Sequence, residues 1–223
     1  GTLIDTAADF IRIIGKMSTQ NNWQAPPAAA IREQVSAGAS AMVKLMLRHN
    51  NQLNVNDEEL LQFRQQFLDD YEADICVDSC LFNGLEEVLH KLEKKGVPWG
   101  IVTNKPRYLS EQLLEAMQLD ERCAVLVCPD DVSRNKPDPE PMYMALERLA
   151  IPRGAAGSVL YIGDHVRDIE AGNAAGMPTI LAAYGYIPPE DQNNLQGWGA
   201  DYITDSPKQL SKLLLSSGKF EYL

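Results

Sequence analysis

Long hydrophobic runs are missing from this sequence. No apolar stretch approaches the ~20 residues that a membrane-spanning helix needs. No signal-peptide pattern is visible near the first residue. We therefore expect no membrane partner and a cytoplasmic location.

Positive charge is scarce as well. The chain has 20 lysines and arginines against 31 aspartates and glutamates, which gives a formal net charge of −11. Such a chain repels nucleic acid and anionic membrane surfaces, so we expect neither as a partner. If the protein binds a phosphate, it must do so through a local excess of positive charge.

Metal-binding patterns of cysteine and histidine are also absent. The four cysteines are Cys76, Cys80, Cys123 and Cys128, with no CxxC pair and no histidine nearby at zinc spacing. We expect free thiols in a reducing cytoplasm rather than structural zinc.

Two kinds of pattern divide the 223 residues, of which 45% are hydrophobic. From about residue 6 to residue 80 there is no convincing strand, and apolar residues recur at helical spacing around Ile13, Met46 and Phe67. The Pro26-Pro27 pair separates the first helix from the second. This stretch predicts a small helical bundle beside a larger core.

The rest of the chain alternates strands with helices. Predicted strands cover residues 97–103, 125–128, 159–162 and 179–183, with a short one near 202, and predicted helices cover 109–117, 140–149, 166–175 and 207–215. A further helix is predicted to start with a cap formed by Asn83 and Glu86. The alternation predicts an α/β fold whose mostly parallel sheet has helices on both faces and binds ligands at the carboxyl ends of its strands.

Polar residues mark two of the strand–helix connections. Thr103 and Asn104 end a strand, where a hydroxyl and free backbone N–H groups can hold a phosphate, although a turn that only caps the next helix is as common. Lys136 lies in a stiff segment rich in proline, from Asn135 to Pro141. It can neutralise a phosphate or a carboxylate, or it can be a solvated loop lysine.

A third connection carries two carboxylates. Asp164 ends a strand that reads as buried, and Asp168 follows one helical turn later, so the two side chains share a face and repel each other mildly. Cations between them would explain the pair, and hard oxygen ligands favour Mg²⁺. Acids that offset the helix dipole are the alternative for each residue alone.

Taken together, these segments resemble the haloacid dehalogenase (HAD) phosphatases over nearly the whole chain. The first family motif is Asp-x-Asp-Gly-Thr-Leu-x-Asp, and the chain opens with its tail, Gly1 to Asp5. The second motif matches Thr103-Asn104, the third Lys136, and the fourth, Gly-Asp-x-x-x-Asp, matches Asp164 and Asp168. Each match is weak alone, but four in the right order are specific.

The resemblance implies a Rossmann-like core, residues 1–6 and 81–223, with a helical cap of the C1 type, residues 7–80. It also implies that the first core strand and the two motif aspartates, the nucleophile and the acid/base, precede Gly1. We therefore expect residues 1–223 alone to be inactive and the intact protein to be active.

The resemblance also assigns roles within the chain. Mg²⁺ is the implied cofactor, and Asp164 is its ligand. The implied catalytic residues are Thr103, Lys136 and Asp168. Residues that bind the phosphate or the rest of the substrate are expected at Gly1, Thr2, Asn104, Lys105 and Gly38, although Gly38 equally suits close packing of two helices.

Within the family, the chain is most similar to phosphoglycolate phosphatases and to the N-acetylmuramic acid 6-phosphate phosphatases of peptidoglycan recycling. The stretches that carry this likeness are 99–106, 136–141, 163–172 and 184–201. The expected partner is a small phosphorylated metabolite, bound by a monomer or a homodimer. A dehalogenase is disfavoured by the metal motif, whereas a phosphosugar mutase and a non-catalytic phosphate-binding module stay open as alternatives.

Overall fold

The computed structural model describes residues 1–216, so the last seven residues of the expected core lie outside the described part. Residues 7–73 form a helical segment. Its helices are α1 (Ala7–Gln20), α2 (Ala28–Glu33), α3 (Ala39–His49) and α4 (Asp57–Ala73). One apolar cluster joins them around Ile13, Met46 and Phe67, which are all nearly inaccessible to solvent. This is the helical packing that the spacing predicts.

The second part of the molecule is a mixed α/β unit, as the alternation predicts. Its strands are β1 (Ile4–Asp5), β2 (Cys80–Leu81), β3 (Gly100–Val102), β4 (Val125–Val127), β5 (Tyr161–Gly163), β6 (Thr179–Ala182) and β7 (Tyr202–Thr204). Its helices are α5 (Leu85–Lys94), α6 (Arg107–Ala116), α7 (Glu140–Arg148), α8 (Val166–Ala174) and α9 (Pro207–Ser216). Each predicted strand and helix of this part has a counterpart, with bounds that differ by a few residues.

The start of α5 corrects one detail. Asn83 and Glu86 do not form the predicted cap. Gly84 is the residue before the helix and has a left-handed backbone with φ of 91° and no side-chain cap. Glycine adopts that conformation without steric cost, so the turn itself starts the helix.

The parallel strands fall into two sheets. β3 pairs with β4, and β5, β6 and β7 pair in that order, while β1 and β2 form a separate antiparallel pair. Within residues 1–216, no backbone ladder joins β3 to β5. Between these two edges runs a slot, part of a cavity of about 1340 Å³, lined by Ile101, Leu160 and Ile162.

The strands that border the slot are less buried than central parallel strands usually are. Ile101 and Ile162 are only half-buried, whereas all four residues of β6 are buried. Strands inside a parallel sheet normally have both faces and both edges covered. The half-buried apolar side chains along the slot therefore lie where a further strand could pack against them.

The helical segment joins the α/β unit at two crossings, and Asp9 binds them together. Its buried carboxylate accepts hydrogen bonds from the Arg12 guanidinium (2.6 Å) and from the backbone N–H groups of Asp78 and Ser79 (3.0 Å each). Burial alone would raise the pKa of Asp9, but the bonds from Ser79, Arg12 and Asp78 outweigh burial and hold that pKa below its usual value.

No helix within residues 1–216 combines the length and the apolar character needed to cross a bilayer.

Replacement of Asp9 by Asn should lower the free energy of unfolding by about 2–3 kcal/mol, because donors that now bind a carboxylate lose their acceptor. Since the pKa of Asp9 is lowered in the folded protein, this contribution is full above the unfolded value near 4 and fades as the pH falls through the folded value. Urea unfolding of the native protein and the variant at pH 7 and at pH 3 measures this contribution of Asp9 to the free energy of unfolding. The control is Asp69→Asn, an exposed residue of α4 whose side chain, within residues 1–216, accepts only from Gln65. Equal losses for both variants would contradict the role of Asp9.

Candidate active site

Every residue that the sequence assigned to the site lines one cavity, the one that includes the slot. These residues are Gly1, Thr2, Gly38, Thr103, Asn104, Lys105, Lys136, Asp164 and Asp168. Lys136 links two of the strands that carry them, because its Nζ donates both to the Val102 carbonyl at the end of β3 and to the Tyr161 hydroxyl on β5. The helical segment lines another part of the cavity through Phe10, Val35 and Tyr71.

Lys136 and Asp168 form a buried ion pair. The Lys136 Nζ lies 2.7 Å from Asp168 Oδ1, and it also donates to the Val102 carbonyl (2.9 Å) and to the Tyr161 hydroxyl (3.0 Å). Burial alone would lower the pKa of Lys136, but Tyr161 and Asp168 raise it well above its usual value. Lys136 is thus a fixed positive charge rather than a solvated loop lysine.

The second oxygen of Asp168 organises the backbone of the fourth motif. Asp168 Oδ2 accepts from the N–H groups of Asp164 (3.2 Å) and His165 (3.1 Å). A Cβ on Gly163 would lie 2.2 Å from the Cβ of Asp168, so only glycine permits this approach. Asp168 therefore binds backbone N–H groups at the start of α8, as in the alternative role of an acid at a helix start, and it also contacts Lys136. Within residues 1–216, its hydrogen-bond partners do not include the Asp164 carboxylate.

Asp164 is buried and surrounded by donors. It accepts from Ser36 Oγ (2.7 Å), Thr2 Oγ1 (2.9 Å) and the Tyr186 N–H (3.2 Å). Burial alone would raise the pKa of Asp164, but the hydrogen bonds from Ser36, Tyr186 and Thr2 favour its ionised form, and the pKa lies below its usual value. The carboxylate is therefore ionised, as a metal ligand must be.

The donor set around Asp164 fits one part of a magnesium site. Mg²⁺ is usually held by one or two carboxylates together with water and phosphate oxygens. Asp164 supplies one such carboxylate at the end of β5. Within residues 1–216 there is no group of three or more acidic, cysteine or histidine side chains placed to hold a metal, so a complete site needs oxygens from elsewhere.

In the connection after β3, the side chains of Thr103 and Lys105 make contacts in different parts of the molecule. Thr103 Oγ1 accepts from the Lys105 N–H (3.0 Å), a local bond that fixes the turn. The Lys105 side chain points to the helical segment, with its Nζ 4.1 Å from the centre of the Tyr71 ring and 5.0 Å from that of Phe10. Burial lowers the pKa of Lys105 to about 7, and the negative charge of Asp9 only partly opposes this.

Gly38 lies just before α3 in a loop of the helical segment. Its φ is 90°, and a Cβ built there would meet no atom within 4 Å. Glycine is needed for this backbone conformation, so the alternative of close packing between two helices is wrong. The same loop brings Ser36 to Asp164.

Several contacts in the site were not predicted from the sequence. Arg167 donates to the Ser36 carbonyl, and Tyr186 donates from its hydroxyl to Asp5 Oδ1 (2.7 Å) while it accepts from the Thr6 N–H (2.8 Å). These pairs are separated by 131 to 181 positions in the chain. No periodic pattern predicts contacts of that range. The sequence does contain a signal for one further residue, Arg64, because it is a cation at the helical spacing of the apolar residues Phe67 and Tyr71 on α4.

Relatives of this chain are phosphatases. The N-acetylmuramic acid 6-phosphate phosphatase of Pseudomonas aeruginosa is 43% identical over 214 residues, which cover 96% of this chain and 91% of the relative. The phosphoglycolate phosphatase of Xanthomonas campestris is 37% identical over 210 residues, which cover 94% and 90%.

The fold has close structural counterparts. A crystal structure of a predicted phosphoglycolate phosphatase from Haemophilus somnus superposes with a TM-score of 0.80 at 22% identity, over 96% of this chain and 92% of the other. The family model described as haloacid dehalogenase-like hydrolase matches residues 1–182. With the four motifs in order and their residues gathered in one cavity, the chain belongs to the haloacid dehalogenase-like hydrolases.

Proposed function

We propose that this chain is part of a Mg²⁺-dependent phosphomonoesterase that acts on a small phosphorylated metabolite in the cytoplasm, as a monomer or a homodimer. One arrangement supports this most: the charged pair of Lys136 and Asp168 lies beside Asp164 in the cavity that Thr103 also lines. A fixed positive charge, an ionised oxygen ligand and a phosphate-binding turn are what transfer of a phosphoryl group requires.

Each side chain has a distinct role in this proposal. Lys136 offsets negative charge on the phosphoryl group and its attacking carboxylate, and its own charge is kept by Tyr161 and Asp168. Asp168 acts as a positioning residue for Lys136 and for the backbone of Asp164. Thr103 and the Asn104 N–H would hold phosphate oxygens. Mg²⁺ bound at Asp164 would supply Lewis-acid stabilisation of the phosphoryl oxygens.

The attacking carboxylate must belong to a residue other than those of residues 1–216 whose carboxylates line the cavity. Within residues 1–216, the carboxylates that line the cavity are Asp164, Asp168 and Asp201. Asp168 is bound to Lys136, and Asp201 accepts from the Thr179 N–H (2.7 Å). We propose that an apolar strand ending in Asp-x-Asp fills the slot between β3 and β5 and carries the nucleophile and the acid/base to the edge where Asp164 lies.

The helical segment serves as the cap in this proposal, with residues 7–80 inserted into a core of 1–6 and 81–223. Its loop around Gly38 places Ser36 on Asp164 and thus closes over the site. A closed cap excludes water and contacts the alcohol part of the ester. N-acetylmuramic acid 6-phosphate and phosphoglycolate, named for the relatives, are the proposed substrates.

Activity tests the strand and the metal together. The chain is compared with the same chain preceded by an apolar strand that ends in Asp-x-Asp directly before Gly1. We expect the extended chain to release phosphate from one of the two proposed substrates only with Mg²⁺, because the added carboxylates meet Asp164 and Lys136. The matched control replaces the first added Asp by Asn and should lose activity by about 10³-fold or more.

Three outcomes of that experiment are decisive. No release by the folded extended chain would reject the phosphatase proposal. Equal release by the extended chain and its Asn control would reject the proposed nucleophile. A hexose phosphate that is isomerised rather than hydrolysed would favour the mutase.

Lys136→Met tests the fixed charge. In the extended chain we expect kcat to fall by about 10²–10³-fold, because a preorganised positive charge is lost where negative charge develops. Tyr161→Phe is the control, since it removes one bond to Lys136 and leaves the pair with Asp168. Circular dichroism shows whether both variants fold. A folded Lys136→Met protein with native kcat would rule out the role of Lys136.

A further inference from the structure

Positive charge is in local excess in the cavity, although the chain as a whole carries −11. The cations that line it are Arg64, Lys105, Lys136 and Arg167, of which Lys136 forms an ion pair with Asp168. Arg167 donates to a neutral carbonyl, that of Ser36. Arg64, Lys105 and Arg167 have no carboxylate partner within residues 1–216, and the side chains of Arg64 and Lys105 form no hydrogen bond there either.

Arg64 is an unusual residue for the face of α4 on which it lies. It shares that face with Phe67, Leu68 and Tyr71, is half-buried, and lines the cavity with them. It makes no hydrogen bond or ion pair to any residue between 1 and 216. Ordering a long cationic side chain against an apolar wall without a counter-ion is unfavourable, so its placement suits an anion that enters the cavity.

Three other cations of the helical segment are paired with carboxylates, whereas the solvent-exposed Lys44 and Arg48 form no ion pair within residues 1–216. Arg12 binds Asp9 (2.6 Å), Lys16 binds Asp70 (2.6 Å), and Arg32 binds Asp5 (2.9 Å). Acidic residues are abundant in this chain, so a cation left unpaired is not explained by a lack of partners.

Lys105 brings a second basic group from the core, which is only partly protonated near pH 7 because burial lowers its pKa to about 7. Its ammonium group lies over the rings of Tyr71 and Phe10, and it forms no ion pair in residues 1–216. Lys105 also lines the same cavity as Asp164.

The two cations lie in the same neighbourhood. Lys105 Nζ lies 4.1 Å from the centre of the Tyr71 ring, and Tyr71 lies two helical turns beyond Arg64 on the same face of α4. The acidic residues Asp69 and Glu72 of that helix are already engaged, because Gln65 donates to Asp69 and Gln112 donates to Glu72.

We propose that Arg64, together with Lys105, binds a carboxylate on the alcohol part of the phosphate ester, so that the site selects phosphomonoesters of hydroxy acids over those of neutral alcohols. The inference rests on the proposed function and narrows its substrate class. A guanidinium matches a carboxylate with two parallel hydrogen bonds, and an ammonium adds a second charge. Glycolate and N-acetylmuramic acid, the alcohols in the relatives' substrates, both carry a carboxylate.

Matched ligand pairs test the carboxylate alone. N-acetylmuramic acid 6-phosphate differs from N-acetylglucosamine 6-phosphate by a lactyl ether, and phosphoglycolate differs from ethyl phosphate by a carboxylate in place of a methyl group. Calorimetric titration without added Mg²⁺ avoids metal-dependent hydrolysis. We expect the chain to bind the acidic member of each pair at least about tenfold more tightly.

Arg64→Gln should abolish most of that preference. Its Kd for the acidic ligands should rise about tenfold, while its Kd for the neutral partners stays within about twofold of native. Lys105→Met should act in the same direction. The control is Arg48→Gln, an exposed arginine of α3 whose side chain donates only to the Lys44 carbonyl in the described part of the chain, and it should change neither Kd. Thermal unfolding checks that all variants are folded.

The outcomes separate this inference from the proposed function. If the native chain binds both members of a pair equally, or if Arg64→Gln weakens both equally or neither, the carboxylate site is rejected while a phosphate-ester site stands. Tighter binding of glucose 1,6-bisphosphate than of either acid would assign Arg64 to a second phosphate and reject the carboxylate. If none of these phosphate esters binds to the native chain, the proposed function fails as well.

Discussion

The buried pair of Lys136 and Asp168 is the contact on which the rest of the site depends. Lys136 reaches the Val102 carbonyl at the end of β3 and the Tyr161 hydroxyl on β5, so one ammonium group bridges two sheets that share no backbone ladder. Asp168 in turn holds the backbone N–H of Asp164. Taking two charges out of water is costly, and the pair is stable only because these neutral groups satisfy the remaining hydrogen bonds.

Hydrogen bonds also link the helical segment to the site. Ser36 and Thr2 donate to different oxygens of Asp164, and Arg167 holds the carbonyl of Ser36. A cation that binds Asp164 must share its oxygens with these hydroxyl groups or displace them. Any movement of the loop that carries Ser36 would therefore change the ligands available at Asp164. Asp9 holds the two crossings to each other.

The sequence was sufficient to predict the helices, the strands and the residues at the strand ends. It was insufficient to predict contacts between residues that are far apart in the chain. Strands and helices were predictable because their periodicity is local, and Thr103 and Asp164 because parallel strands place such residues together. The cap predicted at Asn83 was wrong because the neighbouring Gly84 adopts a left-handed turn that needs no side chain. The contacts of Asp9 and Tyr186 were not predicted, since their partners lie 69 to 181 positions away.

Electrostatics reconciles an acidic protein with an anionic ligand. At physiological ionic strength, exposed charges are screened over roughly 8 Å, so the net charge of −11 acts weakly on a ligand that has already entered the cavity. There the low dielectric strengthens each nearby charge. The excess arises because cations such as Arg12 are neutralised where they lie, whereas Arg64 is not. The distribution of paired and unpaired cations, rather than the net charge, therefore determines which anions the cavity binds.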